Sequence, residues 1–295
     1  MPLAPQPLTP RQLVLGLMLG AEEQRERTLG VRELLAACGL FGITENGARV
    51  ALARAVAAGL LVAPERGRYA LGPRARPLAD EVGRWREAAS RMVEWTGGWL
   101  AVHVGAAGRS DRTALRARER AFGVLGLAEF ERGLHLRPGN LAGGAAALRK
   151  RLAALVPGGT GFGTAFALGD LSAADQRRAS GLWDKAALDA GYRETTARLA
   201  AWLAAARGLP PERAARESFE LGRAAIRRLV FDPMLPAPLV DAAARKRLVA
   251  TVARFDDTGQ AIWRRFLAGA RAPLPRTTTR TITRTTPAAR MEATT

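Results

Sequence analysis

What the 295-residue sequence has least of already excludes several kinds of protein. Its single cysteine, Cys38, cannot form an intramolecular disulfide, and it predicts a reducing, cytoplasmic compartment. The two histidines, His103 and His135, are widely separated and offer no ligand spacing for zinc or another imidazole-bound metal. All three side chains read as packing or locally hydrogen-bonded groups and are assigned no chemistry. A run of about 18 apolar residues without charge is missing, so no transmembrane helix and no membrane partner are predicted. Met1 to Gly20 has one arginine, several prolines and a short apolar stretch but no small-residue cleavage site, and reads as mature sequence, not a signal peptide. Lysine is scarce too: of 45 basic residues only Lys150, Lys185 and Lys246 are lysines.

Arginine is therefore what the chain has in excess. The formal net charge is +18, and such an excess favours a polyanionic partner. A dispersed basic surface binds nothing in particular, so where the charge falls matters more than how much there is.

The length suffices for two or three domains with separate apolar cores. Thr9 is suited to cap a helix with Pro10 at its first position, and Leu13, Leu17 and Met18 follow at helical spacing. Val31, Leu34, Leu35 and Cys38 form a second apolar stripe, interrupted at Gly39 to Gly42 before a third helix begins near Thr44. This is helix-turn-helix spacing. At about 100° per residue, Ala48, Ala51, Leu52, Ala55 and Gly59 of the third helix face the core. Asn46, Val50, Ala53 and Ala57 lie opposite, flanked by Arg49 and Arg54, which lets a slim helix enter a major groove with one cation toward each wall. Leu60 to Val62 and Tyr69 to Leu71 are two short apolar runs joined by a basic loop containing Arg66, Gly67 and Arg68, and read as a wing. From Phe41 to Arg76 there are six arginines against Glu45 and Glu65, the clustering that phosphate contacts need. Thr44, Asn46, Arg49, Val50, Arg54, Arg66 and Arg68 are thus the candidate DNA-binding residues, and the partner is double-stranded operator DNA. The same pattern also suits a three-helix module that binds protein.

The predicted organisation is a multi-domain α+β chain. A winged helix-turn-helix occupies residues 1–77, a charged linker helix 78–94, a small α+β domain 95–170, a helical domain 171–270 and a disordered basic tail 271–295. In the middle domain Gly97 to Val104, Leu134 to Leu136 and Thr164 to Leu168 read as strands, with helices from Asp111 to Gly123 and Ala142 to Val156. Ser172 can cap the next helix with Asp175 at its third position, and further helices run from Pro211 to Val230 and from Asp241 to Leu267. Three prolines between Phe231 and Leu239 break the last two apart, and the tryptophans read as core. The tail reads as a solvated segment or a non-specific DNA arm.

A search for catalytic motifs finds no nucleophile elbow, phosphate-binding loop or paired metal ligands, so no enzyme activity and no cofactor are predicted. Gly158 to Gly163 is glycine-rich but follows Pro157, with neither strand before nor helix after it, and reads as a turn.

Several stretches, in their order and separation, resemble the phenylacetate-degradation repressor (PaaX-like) family of transcriptional regulators. They are FGITENGARVALARAVAAGLL followed by GRYAL, then WTGGWLAV, GLHLRPGNL, FDPMLPAPLVD and RFDDTGQAIWRRFL. The residues that match are Arg49, Leu52, Arg54 and Gly59, Arg68 and Tyr69, and Trp95, Gly98 and Trp99. The sequence departs from the family at Ala48 and Ala55, where a larger apolar residue is usual, and at Thr96, near which an acid is common. The resemblance implies a ferredoxin-like central domain, a homodimer on a palindromic operator, and release from DNA by an aryl-acetyl-CoA or other acyl-CoA thioester effector. Two alternatives remain: a metal-dependent nuclease using the middle domain, although Trp99 to Val104 carries no carboxylate, and a basic scaffold binding RNA without sequence preference.

Overall fold

The computed structural model describes residues 8–23, 28–105, 112–156, 158 and 161–271. Helix α1 (Pro10–Glu23) starts with a reciprocal cap: Gln12 N donates to Thr9 Oγ1 at 3.3 Å and Thr9 N donates to Gln12 Oε1 at 3.1 Å. A two-residue strand β1 (Leu29–Gly30) leads directly into α2 (Val31–Leu40), and α3 (Glu45–Ala57) follows a tight turn. The chain then folds back as β2 (Leu61–Glu65) and β3 (Arg68–Leu71). These strands form an antiparallel sheet in the order β1-β3-β2. Leu13, Val14 and Met18 of α1, Leu34 and Cys38 of α2, and Leu52 of α3 close one apolar core with the sheet residues Leu61 and Leu71. Cys38 is fully buried there, and burial pushes its thiol up to about 11, so it serves as a small apolar side chain.

After α4 (Arg76–Gly83) comes β4 (Trp99–His103), then α5 (Arg112–Val124), β5 (Ala128–Glu131), β6 (Leu134–Pro138), α6 (Gly144–Leu155) and β7 (Thr164–Leu168). The strands make a four-stranded sheet ordered β5-β6-β4-β7, antiparallel at every pairing. Side chains alternate across a strand, and β4 uses both faces. Leu100 and Val102 join Phe122, Leu148 and Leu152 of the two helices, while Trp99 and Ala101 join Leu136 and Ala179 on the other side. The remainder is helical: α7 (Ala173–Ser180), α8 (Lys185–Ala205), α9 (Pro211–Val230) and α10 (Ala242–Arg271). Ser172 Oγ accepts from Asp175 N at 3.1 Å at the start of α7, as its sequence predicts. Trp85, Tyr192, Trp202, Leu248 and Phe255 are buried in one helical core, whereas Trp263, farther along α10, packs into the core of α1 to α3.

The layout is a multi-domain mixture of helix and two small sheets, and four local readings need correction. The charged linker helix expected over residues 78–94 is instead the end of α4, which stops at Gly83, with 3₁₀ turns over Arg84–Glu87 and Ala89–Arg91. Gly83 weakens the α-helix at that point, and the tighter turns seat Trp85 beneath the C-terminal helices. The sequence reading misses strand β1, whose two residues are too few for an alternation to register, and β5, whose sequence AEFE carries two glutamates and a single large apolar residue. Residues 63–65, expected in the wing loop, belong to β2, leaving Arg66 and Gly67 as the turn. Arg271, counted with the tail, is the last residue of α10, and its Nε donates to the buried Glu33 Oε1 at 2.5 Å. The rest of that tail lies outside the described residues.

Candidate nucleic-acid interface

The turn that sets α3 against α2 follows from Gly42, whose φ of +70° is open to glycine at little cost. Thr44 then caps α3, its Oγ1 accepting from Gly47 N at 3.2 Å. The other end closes in a Schellman arrangement: Gly59 N donates to Val56 O at 2.8 Å and Leu60 N to Ala55 O at 3.0 Å. Gly59 has φ +67°, a left-handed conformation that favours glycine. With both ends fixed, Ala48, Ala51, Leu52 and Ala55 bury one face of the helix. Small residues at three of these positions bring the helix close to its neighbours.

The opposite face is solvent-exposed and holds four of the candidates together with the small residues between them. Asn46, Arg49, Val50 and Arg54 are exposed along α3, as are Ala53 and Ala57. Val50 is 39 % exposed, an apolar side chain left uncovered in the middle of the strip. Arg49 donates to Glu45 Oε1 from Nη2 at 2.6 Å, an exposed pair one helical turn apart. Such pairs are worth only about 0.3–0.5 kcal/mol, so a phosphate or base edge can compete for Arg49. Arg54 makes no ion pair with a described residue and stands in the last turn of α3, where cations complement the helix dipole. Arg74 was counted in the local charge without a position. Its Nη1 reaches Ala58 O at 3.4 Å, adding a cation beside the C-terminal end of the same helix.

The hairpin divides its two arginines. Arg66 is exposed in the turn beside Gly67, which has φ +76°. Arg68 is partly buried and tied to Thr28: Nε donates to Thr28 Oγ1 at 3.0 Å, and Nη2 donates to the same hydroxyl at 2.5 Å and to Thr28 O at 3.3 Å. Val31 N also donates to Gly67 O at 2.7 Å, so the turn is fastened to the start of α2. Arg68 thereby orients the hairpin, with Nη1 left over for an outside acceptor.

A second polar arrangement was invisible in the sequence. Arg137 is 1 % exposed and has no carboxylate partner among the described residues; it donates instead to Leu125 O, Asn140 Oδ1 and Pro233 O, while Asn140 Nδ2 donates to Met234 O at 2.8 Å. Burial pulls its guanidinium down to about 9, which leaves it charged near neutrality. The two stretches GLHLRPGNL and FDPMLPAPLVD, far apart in sequence, thus meet at one buried cation. Elsewhere, among the described residues, no three His, Cys, Asp or Glu side chains gather in a way that could hold a metal ion, and no helix is long and apolar enough to cross a membrane.

Residues 183–265, which span α8, α9 and most of α10, match the family model described as the PaaX-like protein C-terminal domain. Over that stretch the C-terminal helices are similar to the PaaX-like C-terminal domain. Among solved structures the chain resembles the uncharacterized protein Rv0674 from Mycobacterium tuberculosis, with a TM-score of 0.56 and 24 % identity over 90 % of this chain and 100 % of that one. At that identity the likeness is one of fold. No curated protein matches the chain.

Proposed function

We propose that the protein is a DNA-binding transcriptional repressor that docks α3 in the major groove of its operator. The observation that carries the reading is the two-sided character of α3, one face sealed in the core and the other exposed, narrow and edged by Arg49 and Arg54. In this reading residues 1–77 are a winged helix-turn-helix, supported by the order α1, β1, α2, α3, β2, β3 and by the β1-β3-β2 sheet. Residues 95–170 are a ferredoxin-like unit, supported by the strand-helix-strand-strand-helix-strand order and the β5-β6-β4-β7 arrangement. Residues 78–94 link it to the first unit, and 171–270 form the helical domain. Asn46, Arg49 and Val50 read base edges, Thr44, Arg54 and Arg66 approach phosphates, and Arg68 holds the hairpin in place. Two copies bind a palindromic operator in the cytoplasm, and an acyl-CoA thioester such as an aryl-acetyl-CoA releases them. No metal or catalytic group takes part.

The test is salt-resolved binding of the purified protein to its own promoter DNA and to a scrambled duplex of equal length. A preference of about 10³ or more is expected for specific recognition. Equal and steeply salt-dependent binding to every genomic fragment offered would refute it, and magnesium-dependent loss of the labelled DNA would point to a nuclease.

A further inference from the structure

Between α1, α4, α9 and α10 lies a cavity of about 820 Å³, a size that suits a small organic ligand. Part of its wall is apolar: Leu17, Leu29, Leu71, Phe255 and Trp263 are all buried and line it. Trp263 is 8 % exposed, and its indole N–H has no hydrogen-bond partner among the described residues, a buried donor still lacking an acceptor. Gly20 of α1 and Gly83 of α4 line the cavity, and a Cβ built on either meets nothing within 4 Å.

The lining is also basic. Seven arginines line the cavity against three carboxylates, those of Asp80, Glu87 and Asp256. Asp256 is already engaged by Arg86 and accepts from Gln260 Nε2 at 2.9 Å. Arg223 of α9 and Arg264 of α10 are exposed and make no ion pair with a described residue, and Arg227 lies over the Phe231 ring at 5.1 Å. Two exposed arginines that line an apolar cavity without an ion-pair partner among the described residues are electrostatically suited to an anionic group whose apolar remainder goes inside.

We infer that this cavity is a binding site for an amphipathic organic anion, with its apolar body against Trp263 and Phe255 and its acidic group at Arg223 and Arg264. The inference deepens the reading of a ligand-responsive regulator, because the wall is shared by α1 of the DNA-binding unit and by α9 and α10. Its test uses no DNA, so the two readings fail separately.

The experiment is a fluorescence titration of the full chain with anilinonaphthalene sulfonate and with uncharged N-phenylnaphthylamine, which has the same ring system without the sulfonate. One equivalent of the sulfonate should bind, about tenfold more tightly than the neutral probe at low ionic strength, where exposed charges are least screened. Arg223→Ala with Arg264→Ala should erase that preference and leave the neutral probe unaffected. Gly20→Leu, which fills the cavity from a helical position, should weaken both probes about tenfold or more, with its circular dichroism and melting temperature confirming the fold. Equal binding of the two probes by the wild type, or affinities unchanged in Gly20→Leu, would overturn the site. Should Gly20→Leu fail to fold, the arginine variant decides: a preference that survives it overturns the inference.

Discussion

Removing the guanidinium of Arg137 tests whether a buried cation without a carboxylate partner among the described residues joins the middle sheet to the C-terminal helices. The side chain is 1 % exposed and donates to Leu125 O, just beyond the C-terminal end of α5, and to Pro233 O and Asn140 Oδ1. Helix C-terminal carbonyls lack intrahelical donors and carry the negative end of the dipole, so Leu125 O is a natural cation acceptor. Substitution by alanine leaves these acceptors buried and unpaired, at about 1–3 kcal/mol for each fully desolvated group. The emptied volume adds a cavity term. Because the bonds to Asn140 and Pro233 are long, at 3.4 and 3.5 Å, the sum belongs near the lower end, about 3–5 kcal/mol for Arg137→Ala. Arg137→Met fills most of the space and removes the cost of burying a charge, so about 1–3 kcal/mol is expected. Urea unfolding followed by near-ultraviolet circular dichroism measures both, and hydrogen exchange at Leu127 and Leu235 should accelerate with the loss. A midpoint for Arg137→Ala equal to that of the wild type, or a larger loss for methionine than for alanine, would refute the reasoning.

The other expectations concern the first unit and its link. Arg49→Ala should cost about 1–3 kcal/mol in operator binding and relax specificity, whereas Arg54→Ala and Arg66→Ala should weaken all duplexes alike and lower the salt slope by about 1 each; titrations at several salt concentrations separate the two outcomes. Thr44→Ala removes the cap on α3 and should cost about 1 kcal/mol of stability, read from thermal melting, with Thr44→Ser close to wild type. Glu81 is buried on α4; burial raises its carboxyl pKa, but the hydrogen bond and charge of Arg151, with Arg84 and Arg91, more than offset this and hold it below the usual value. A depressed folded pKa contributes stability above the unfolded carboxyl's pKa, about 4.3, that is lost as pH falls through the folded value. Glu81→Gln should therefore be less stable than wild type at pH 7 and converge with it on acidification; a gap that stays constant down to pH 2 would show that Glu81 stabilises by packing alone.

Periodicity made the helices legible, because an apolar stripe repeated over two or more turns leaves few other ways to bury it. The stripe of α2 and the two faces of α3 emerged for that reason, and with them the exposed arginines. The local charge count could not separate their roles. Arg66 and Arg68 are two residues apart, yet one is exposed in a turn and the other is bonded to Thr28, because β1 brings that threonine beside β3. A two-residue strand leaves no periodic trace, so the pairing that fixes Arg68 is a tertiary fact. Arg137 and Asn140 illustrate the same limit. Their neighbours Pro233 and Met234 lie more than ninety positions away, and nothing local distinguishes a buried arginine from the exposed ones that dominate this composition.

A different set of contacts, those of α10, joins the proposed ligand site to the first unit. Helix α10 contributes Phe255 to the C-terminal core and Trp263 to the core of α1 to α3, and Arg271 at its end bonds Glu33 of α2. Glu33 Oε2 in turn accepts from Gly30 N at 2.6 Å, where β1 passes into α2. A rigid helix spanning two cores transmits a displacement only if both cores hold it firmly, since close-packed interiors shift as units. Severing the outer tie should therefore separate affinity from response. Glu33→Gln retains an acceptor for Gly30 N–H but loses the charge that pairs with Arg271, and should leave unliganded operator binding within about threefold of wild type, the size of a single weakened hydrogen bond. The concentration of amphipathic anion needed to release DNA should rise, measured by fluorescence anisotropy of a labelled operator. An unchanged release curve would mean that the coupling runs through Trp263 and the shared apolar core, with the ion pair merely anchoring the end of the helix.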